Sequence, residues 1–170
     1  HGHQLHLGER DCSTQRRFQK VIEEAPSPAV DASLRHEMGE IARKACAAIG
    51  YTGVGTLEFL LGADRSFYFM EMNTRLQVEH GVTELITGLD LVEQQLRVAQ
   101  GEPLGFAQDD VRFQGHAIEL RVCAEDPAAS FMPQVGRVDR WRAAPDVRTD
   151  TALESGTAVS PYYDSMVAKV

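Results

Sequence analysis

The stretch Thr56-Leu57-Glu58-Phe59-Leu60-Leu61-Gly62-Ala63-Asp64-Arg65-Ser66-Phe67-Tyr68-Phe69-Met70-Glu71-Met72-Asn73 decides the reading of this sequence. Two apolar runs, Thr56 to Leu61 and Ser66 to Asn73, flank Gly62-Ala63-Asp64-Arg65, the pattern of a β-hairpin. A symmetric turn centred between Asp64 and Arg65 pairs Leu61 with Tyr68, Leu60 with Phe69, Phe59 with Met70 and Glu58 with Glu71. Directly opposed residues hold their Cβ atoms roughly 5 Å apart, and like charges there are destabilising. The apolar flanks suggest burial, which raises the cost. Neither position carries Lys or Arg. A divalent cation between the carboxylates would remove the penalty, and Mg²⁺ favours one or two carboxylates plus substrate phosphates. The hairpin therefore predicts a magnesium–nucleotide site.

The sequence runs on as Thr74-Arg75-Leu76-Gln77-Val78-Glu79. If the chain stays extended, Glu71, Asn73, Arg75, Gln77 and Glu79 share one side, with Met72, Thr74, Leu76 and Val78 on the other. An oxygen-preferring metal fits the Glu71 and Asn73 end. An anion fits Arg75 and Gln77, and Glu79 would stand beside it as a base. The competing reading is an amphipathic strand with its polar face in water.

Outward from the hairpin, Glu9 to Glu24 is dense in charge and reads as a solvated loop or face. Gln4 to Leu7 alternates and reads as a short strand. Ala25-Pro26-Ser27-Pro28 is a break. Asp31 or Ser33 caps a helix carrying Leu34, Met38, Ile41, Ala45 and Ile49 at helical spacing, which Gly50 ends. A second helix starts at Asp90, keeps Leu91, Gln95, Leu96 and Ala99 in period, and stops at Gly101 and Pro103. Strands are expected at His116 to Val122, Arg137 to Arg142, Val147 to Leu153 and from Met166. A domain boundary falls near Val111 to Gly115. This gives residues 1–113 and 114–170 as two domains of an α/β (α+β) chain.

The 170 residues hold 17 Lys+Arg against 25 Asp+Glu, a net charge of −8, which argues against a generic nucleic-acid binder. No apolar run approaches a membrane span, and no signal-peptide pattern is present. Cys12, Cys46 and Cys123 are odd in number and scattered, so they are no disulfide framework. A cytoplasmic setting fits, or the mitochondrial matrix in a eukaryote. No Cys or His spacing suggests zinc. His1 and His3, beside Gly2, read as a frayed end. Both ends read as cut, as in an internal fragment of a longer chain.

On these residues the sequence resembles the biotin carboxylase branch of the ATP-grasp ligases. The resemblance is carried by Glu9-Arg10-Asp11-Cys12-Ser13-Thr14-Gln15-Arg16-Arg17, by Gln19 to Pro26, by Gly55 to Leu60 and by Phe69 to His80. It continues at Thr83 to Gly88, Gly115-His116-Ala117, Ala124-Glu125-Asp126-Pro127 and Pro161 to Met166. It implies the C-terminal half of an ATP-grasp domain, followed by the start of a β-rich biotin carboxylase C-terminal domain. It implies Glu58 and Glu71 as Mg²⁺ (or Mn²⁺) ligands bridging ATP phosphates, with Asn73 beside them. Arg75, Gln77, the Val78 backbone and Lys20 would cradle bicarbonate, and Glu79 would deprotonate it. Arg121 would steady the biotin ureido oxygen as an enolate. Leu60 and Met70 would line the adenine pocket, with Gln15 near the nucleotide.

The implied activity is ATP-dependent carboxylation of carrier-bound biotin through carboxyphosphate, the first half-reaction of an acyl-CoA carboxylase. Gln94-Gln95-Leu96-Arg97-Val98 tilts the resemblance toward the acetyl, propionyl or methylcrotonyl type. Expected partners are a biotin carboxyl carrier protein or domain, a carboxyltransferase subunit and a second copy in a homodimer, with no nucleic acid and no membrane. The lid, the adenine hinge and the phosphate-holding lysines of the family are expected upstream of His1, so this piece alone is expected to be inactive. Two departures stand out. Phe18 replaces a polar residue and reads as packing, and Gly81 replaces a frequent Pro and would loosen the turn after Glu79. The alternatives are another ATP-grasp ligase, such as a carbamoyl-phosphate synthetase, and a truncated, non-catalytic binding module.

Overall fold

The computed structural model describes residues 2–170; the reading of His1 as a frayed end lies outside them. In chain order the elements are β1 (Asp11–Arg16), β2 (Gln19–Ala25), α1 (Ala32–Ala48), β3 (Thr56–Leu61), β4 (Phe67–Asn73), α2 (His80–Thr87) and α3 (Leu91–Ala99). A 3₁₀ turn at Gln108–Asp110 follows, then β5 (Ala117–Cys123), β6 (Glu125–Asp126), β7 (Met132–Pro133), β8 (Gly136–Arg137), β9 (Asp150–Thr151), β10 (Ala158–Val159) and β11 (Met166–Lys169). The mixed helix–strand architecture agrees with the sequence.

The chain forms two compact units. One comprises the residues up to Asp11 with Glu24–Ile118, the other Cys12–Glu23 with Glu119–Val170. The first unit holds the three helices and the β3–β4 hairpin. A small apolar centre of Ala25, Val82, Ile86 and Ala117 lies within it. Asp31 caps α1 by accepting from the Leu34 amide at 2.9 Å, and Asp90 caps α3 by accepting from Glu93 at 2.8 Å. The last turn of α1 gives way to Gly50 at φ 63°, a backbone that favours glycine. Gly39, inside α1, is needed for close approach, because a Cβ there would stand 2.5 Å from the His6 ring.

Gln4 to Leu7 is not a strand. Its backbone is satisfied by side chains: His6 N–H donates to Gln108 Oε1 at 2.9 Å, Gln108 Nε2 donates to the His6 carbonyl at 3.0 Å, and Arg43 Nε donates to the Gln4 carbonyl at 2.7 Å. Burial, with the nearby Arg43 cation, holds the His6 imidazole below its ordinary pKa.

The second unit is built on the five-stranded sheet ordered β1-β2-β5-β11-β9. Here the charge-dense segment corrects the expectation of a solvated loop: it forms the β1–β2 hairpin, and Glu23 is fully buried. The turn is Arg17-Phe18, at φ 52° and 64°, the two-residue geometry that matches strand twist. Phe18 is 98% exposed at that tip, so the packing role expected for it is absent. The strands expected at Arg137 to Arg142 and Val147 to Leu153 shrink to the two-residue pairs of β8 and β9. Met166–Lys169 pairs antiparallel with β5 and β9, as a terminal strand should.

Candidate active site

Hairpin β3–β4 sets the site. Its loop is Gly62–Ser66, closed by Gly62 N–H to the Ser66 carbonyl at 2.7 Å and Arg65 N–H to the Gly62 carbonyl at 2.9 Å. Arg65 takes φ 69°, and Asp64 accepts from the Ser66 amide at 3.1 Å. This five-residue loop pairs Leu61 with Phe67, Leu60 with Tyr68 and Phe59 with Phe69, each one residue off the symmetric register. A bulge then skips Met70, and Glu58 faces Glu71 as expected. Phe59 meets Phe67 and Phe69 edge-to-face, at centroid distances of 5.4 and 6.2 Å. The apolar flanks are not buried as expected: Leu60, Tyr68, Phe69 and Met70 are all exposed. Alternation puts Thr56, Glu58 and Leu60 on one side of β3.

The two carboxylates are gathered by amides. Asn73 Nδ2 donates to Glu58 Oε1 at 3.0 Å and to Glu71 Oε1 at 3.1 Å. Gln77 Nε2 donates to the same Glu58 oxygen at 2.8 Å. The Asn73 carbonyl oxygen accepts from Arg75 Nη2 at 3.2 Å. Glu58, Glu71, Asn73, Arg75 and Gln77 thus form one hydrogen-bonded set. No group of three or more His, Cys, Asp or Glu side chains placed to hold a metal ion occurs among the described residues. The oxygen donors here are the two carboxylates, suited to a hard cation that completes its shell with phosphate and water, while Asn73 turns its NH₂ toward them and its oxygen toward Arg75.

The single polar ridge through Glu79 does not form. β4 ends at Asn73, and Glu79 is the residue preceding α2. Gln77 and Glu79 are buried, at 6% and 2% exposure, whereas Arg75 is exposed and Val78 half-buried. The helix that ends the ridge was not expected from sequence. Gly81 lies in its first turn, so it does not loosen a turn after Glu79. His80 Nδ1 bonds the Gln77 carbonyl at 2.8 Å, and His116 Nε2 bonds Glu24 at 2.8 Å, so both histidines are tied into the fold by hydrogen bonds.

The remaining candidates lie in the second unit. Lys20 sits half-buried on β2, and Gln15, exposed on β1, donates to the Cys12 carbonyl at 3.0 Å. Arg121, on β5, donates through Nε to Glu23 Oε1 at 2.7 Å, and its Nη2 lies 2.6 Å from the same oxygen. Arg16 pairs with Glu125 and stacks 4.0 Å over the Phe131 ring. A pocket of about 430 Å³ lies beside it, lined by residues that include Arg17, Gln19 and Asp164. All three cysteines are free thiols. Burial pushes the Cys46 and Cys123 thiols above their ordinary range, which leaves neither activated. Two functional neighbours gave no signal in sequence: Arg10, which reaches Gln77 from the charge run, and Glu23, the buried partner of Arg121.

Comparison with known proteins supplies the family. Residues 1–107 match the family described as carbamoyl-phosphate synthase L chain, ATP binding domain, and residues 119–170 match the biotin carboxylase C-terminal domain. The chain belongs to this ATP-binding family, in its biotin carboxylase branch. It is 57% identical to biotin carboxylase 2 of Bacillus subtilis, and 54% identical to a biotin carboxylase of Nostoc; each match covers 100% of this chain and 38% of the relative. It superposes on the biotin carboxylase domain of a thermophilic 2-oxoglutarate carboxylase bound to bicarbonate with a TM-score of 0.96 at 47% identity, covering 99% of this chain and 38% of that one. The same domain from Hydrogenobacter thermophilus, described as a dimer with MgADP, ADP and bicarbonate, matches equally. The chain therefore spans about two-fifths of the length of these biotin carboxylases, and its fold is the ATP-grasp part followed by the biotin carboxylase C-terminal part.

Proposed function

We propose that the protein to which this chain belongs carboxylates carrier-bound biotin, using ATP and bicarbonate. The observation that carries the reading is the opposed pair Glu58 and Glu71, gathered by Asn73 and followed by the buried Gln77 and Glu79. Glu58 and Glu71, with Asn73 beside them, would hold magnesium, which when bound offsets the charge of the ATP phosphates. Arg75, Gln77, the Val78 backbone and Lys20 bind bicarbonate in this reading. Glu79, itself buried at 2% exposure, takes the bicarbonate proton as a carboxylate base. The bicarbonate oxygen then attacks the γ-phosphorus of ATP, giving carboxyphosphate and ADP. Carboxyphosphate breaks into CO₂ and phosphate, and that phosphate takes the N1′ proton of biotin. Biotin N1′ attacks CO₂, and Arg121 stabilises the ureido enolate oxygen. Leu60 and Met70 contact adenine, and Gln15 lies near the nucleotide. Residues 1–113 and 114–170 are the domain portions that divide these tasks.

A biotin carboxyl carrier protein or domain, a carboxyltransferase subunit and a second copy of the full-length chain are the proposed partners. Relatives named propionyl-CoA carboxylase alpha chain, from Ruegeria pomeroyi, and methylcrotonoyl-CoA carboxylase subunit alpha, from Rattus norvegicus, support an acyl-CoA carboxylase setting. No helix among the described residues is long and apolar enough to cross a membrane. A cytoplasmic or mitochondrial-matrix setting is proposed with the same reading. The match of residues 119–170 to the biotin carboxylase C-terminal domain favours biotin over a carbamoyl-phosphate synthetase reaction.

The test is ADP release by the full-length parent protein with magnesium and bicarbonate, with and without free biotin. Biotin stimulation that Glu79→Gln abolishes is expected. ATP turnover indifferent to biotin would leave another ATP-grasp ligase.

A further inference from the structure

Arg10 stands in the charge run and belongs to none of the roles above, yet its guanidinium reaches into the site. Nη2 donates to Gln77 Oε1 at 2.8 Å and to Thr56 Oγ1 at 3.0 Å, and Nη1 donates to Thr83 Oγ1 at 3.0 Å. The three acceptors come from the first residue of β3, the segment between β4 and α2, and α2 itself. We propose that Arg10 is a positioning residue that fixes which end of the Gln77 amide faces the substrate anion. The proposal rests on the reading above, in which Gln77 helps to hold bicarbonate.

A glutamine amide turned end for end keeps its shape but exchanges donor for acceptor. Arg10 carries donors and no acceptor, so it accepts only the oxygen end of Gln77 beside it. On the other side, Glu58 Oε1 lies 2.8 Å from Gln77 Nε2, and an ionised carboxylate only accepts. Both neighbours therefore reject the reversed amide. With one N–H given to Glu58, the second N–H of Nε2 remains to donate to an anion. Reversal would set NH₂ against a guanidinium and oxygen against a carboxylate, losing two charge-assisted bonds. Gln77 is only 6% exposed, so water is poorly placed to replace them. Without Arg10, one of the two constraints on the amide is gone.

The experiment uses the full-length parent protein and reads KM for bicarbonate and for MgATP separately. Arg10→Met is expected to raise the bicarbonate KM about tenfold, the scale of one buried hydrogen-bond partner lost, with the MgATP KM within about twofold. Because Arg10 acts through Gln77, Arg10→Met/Gln77→Ala should match Gln77→Ala alone within about twofold in bicarbonate KM. A purely structural arginine, holding β3 to α2 through the two threonines, would add its loss in the double variant and move both KM values together. Either result overturns the proposal, as does a folded Arg10→Met with wild-type bicarbonate KM. Should thermal melting show Arg10→Met unfolded, Arg10→Lys carries the test. It keeps the charge and fewer donors, and about a threefold rise is expected, no rise overturning the proposal. Wild-type turnover indifferent to bicarbonate would instead overturn the functional reading, and this inference with it. That failure shows in the unmutated protein, whereas failure of the Arg10 role shows only in the variants.

Discussion

In the second unit the buried carboxylates meet cations: Glu23 meets Arg121, Glu125 meets Arg16, and Glu119 meets Lys169, whose Nζ lies 3.4 Å from it. In hairpin β3–β4, Glu71 faces Glu58, and the group that reaches both is the neutral amide of Asn73. No ion pair to Glu71 occurs among the described residues. A carboxylate matched by a cation is neutralised by the fold itself. Opposed carboxylates linked by an amide are gathered rather than cancelled by that contact, and in the proposed reading the pair would attract a cation from solution. In the proposed reading one arrangement serves cohesion and the other binding, and substitution should separate them.

The largest effect is expected at the hairpin. Glu71→Gln should lower magnesium-dependent ATP turnover of the full-length protein by about 100-fold or more, while the melting temperature stays level or rises, because a like-charge contact has gone. A fall in melting temperature with turnover intact would place Glu71 with the structural carboxylates and break the contrast. Next comes Glu23→Gln. It strips the counter-charge from Arg121 in a buried pair, and urea denaturation should report a loss of about 3 kcal/mol. Unchanged stability would mean that Arg121 is held by other groups. The smallest effect is at Asp150, which lies 3.4 Å from Lys169 and 3.1 Å from Arg148. Partial burial pushes its pKa up, but the hydrogen bond and charge of Arg148, and then Lys169, outweigh this and leave it below the ordinary value. Its contribution is thus complete above the unfolded carboxylate pKa and is lost as pH falls through the folded one. Melting temperature should drop below about pH 4, and Asp150→Asn should remove part of that drop. An identical pH profile in the variant would dismiss the pairing.

The sequence carried most of the first unit, because its elements announce themselves locally. Asp31 and Asp90 sit before periodic runs, Gly50 and Gly101 after them, and the apolar hairpin flanks a polar turn. It carried the opposed carboxylates as well, though through a register that is wrong between Phe59 and Leu61. The β1–β2 hairpin was missed because its acidic and basic residues are matched by partners distant in sequence, Glu23 by Arg121 and Arg16 by Glu125. A charge run looks solvated until those partners are known. Its Arg17-Phe18 turn lacks the Asn-Gly or Asp-Gly signature as well. The Arg10 contacts were invisible for the same reason, since Thr56, Gln77 and Thr83 are all more than 40 positions away. Helix α2 was masked by an alternation that continues past the real end of β4.

The skipped residue in β4 has a consequence of its own. A pleated strand gives each residue one address, and the address flips at every step. At the bulge, Met70 and Glu71 share a single address opposite Glu58. A bulge relaxes the strict alternation of faces, so an oily side chain and an anionic one next to each other in the chain need not be sent to opposite sides. A nucleotide is itself two-natured, with a flat greasy base and a charged tail, and in the proposed reading this local suspension of the pleat would let one short strand speak to both ends of such a molecule.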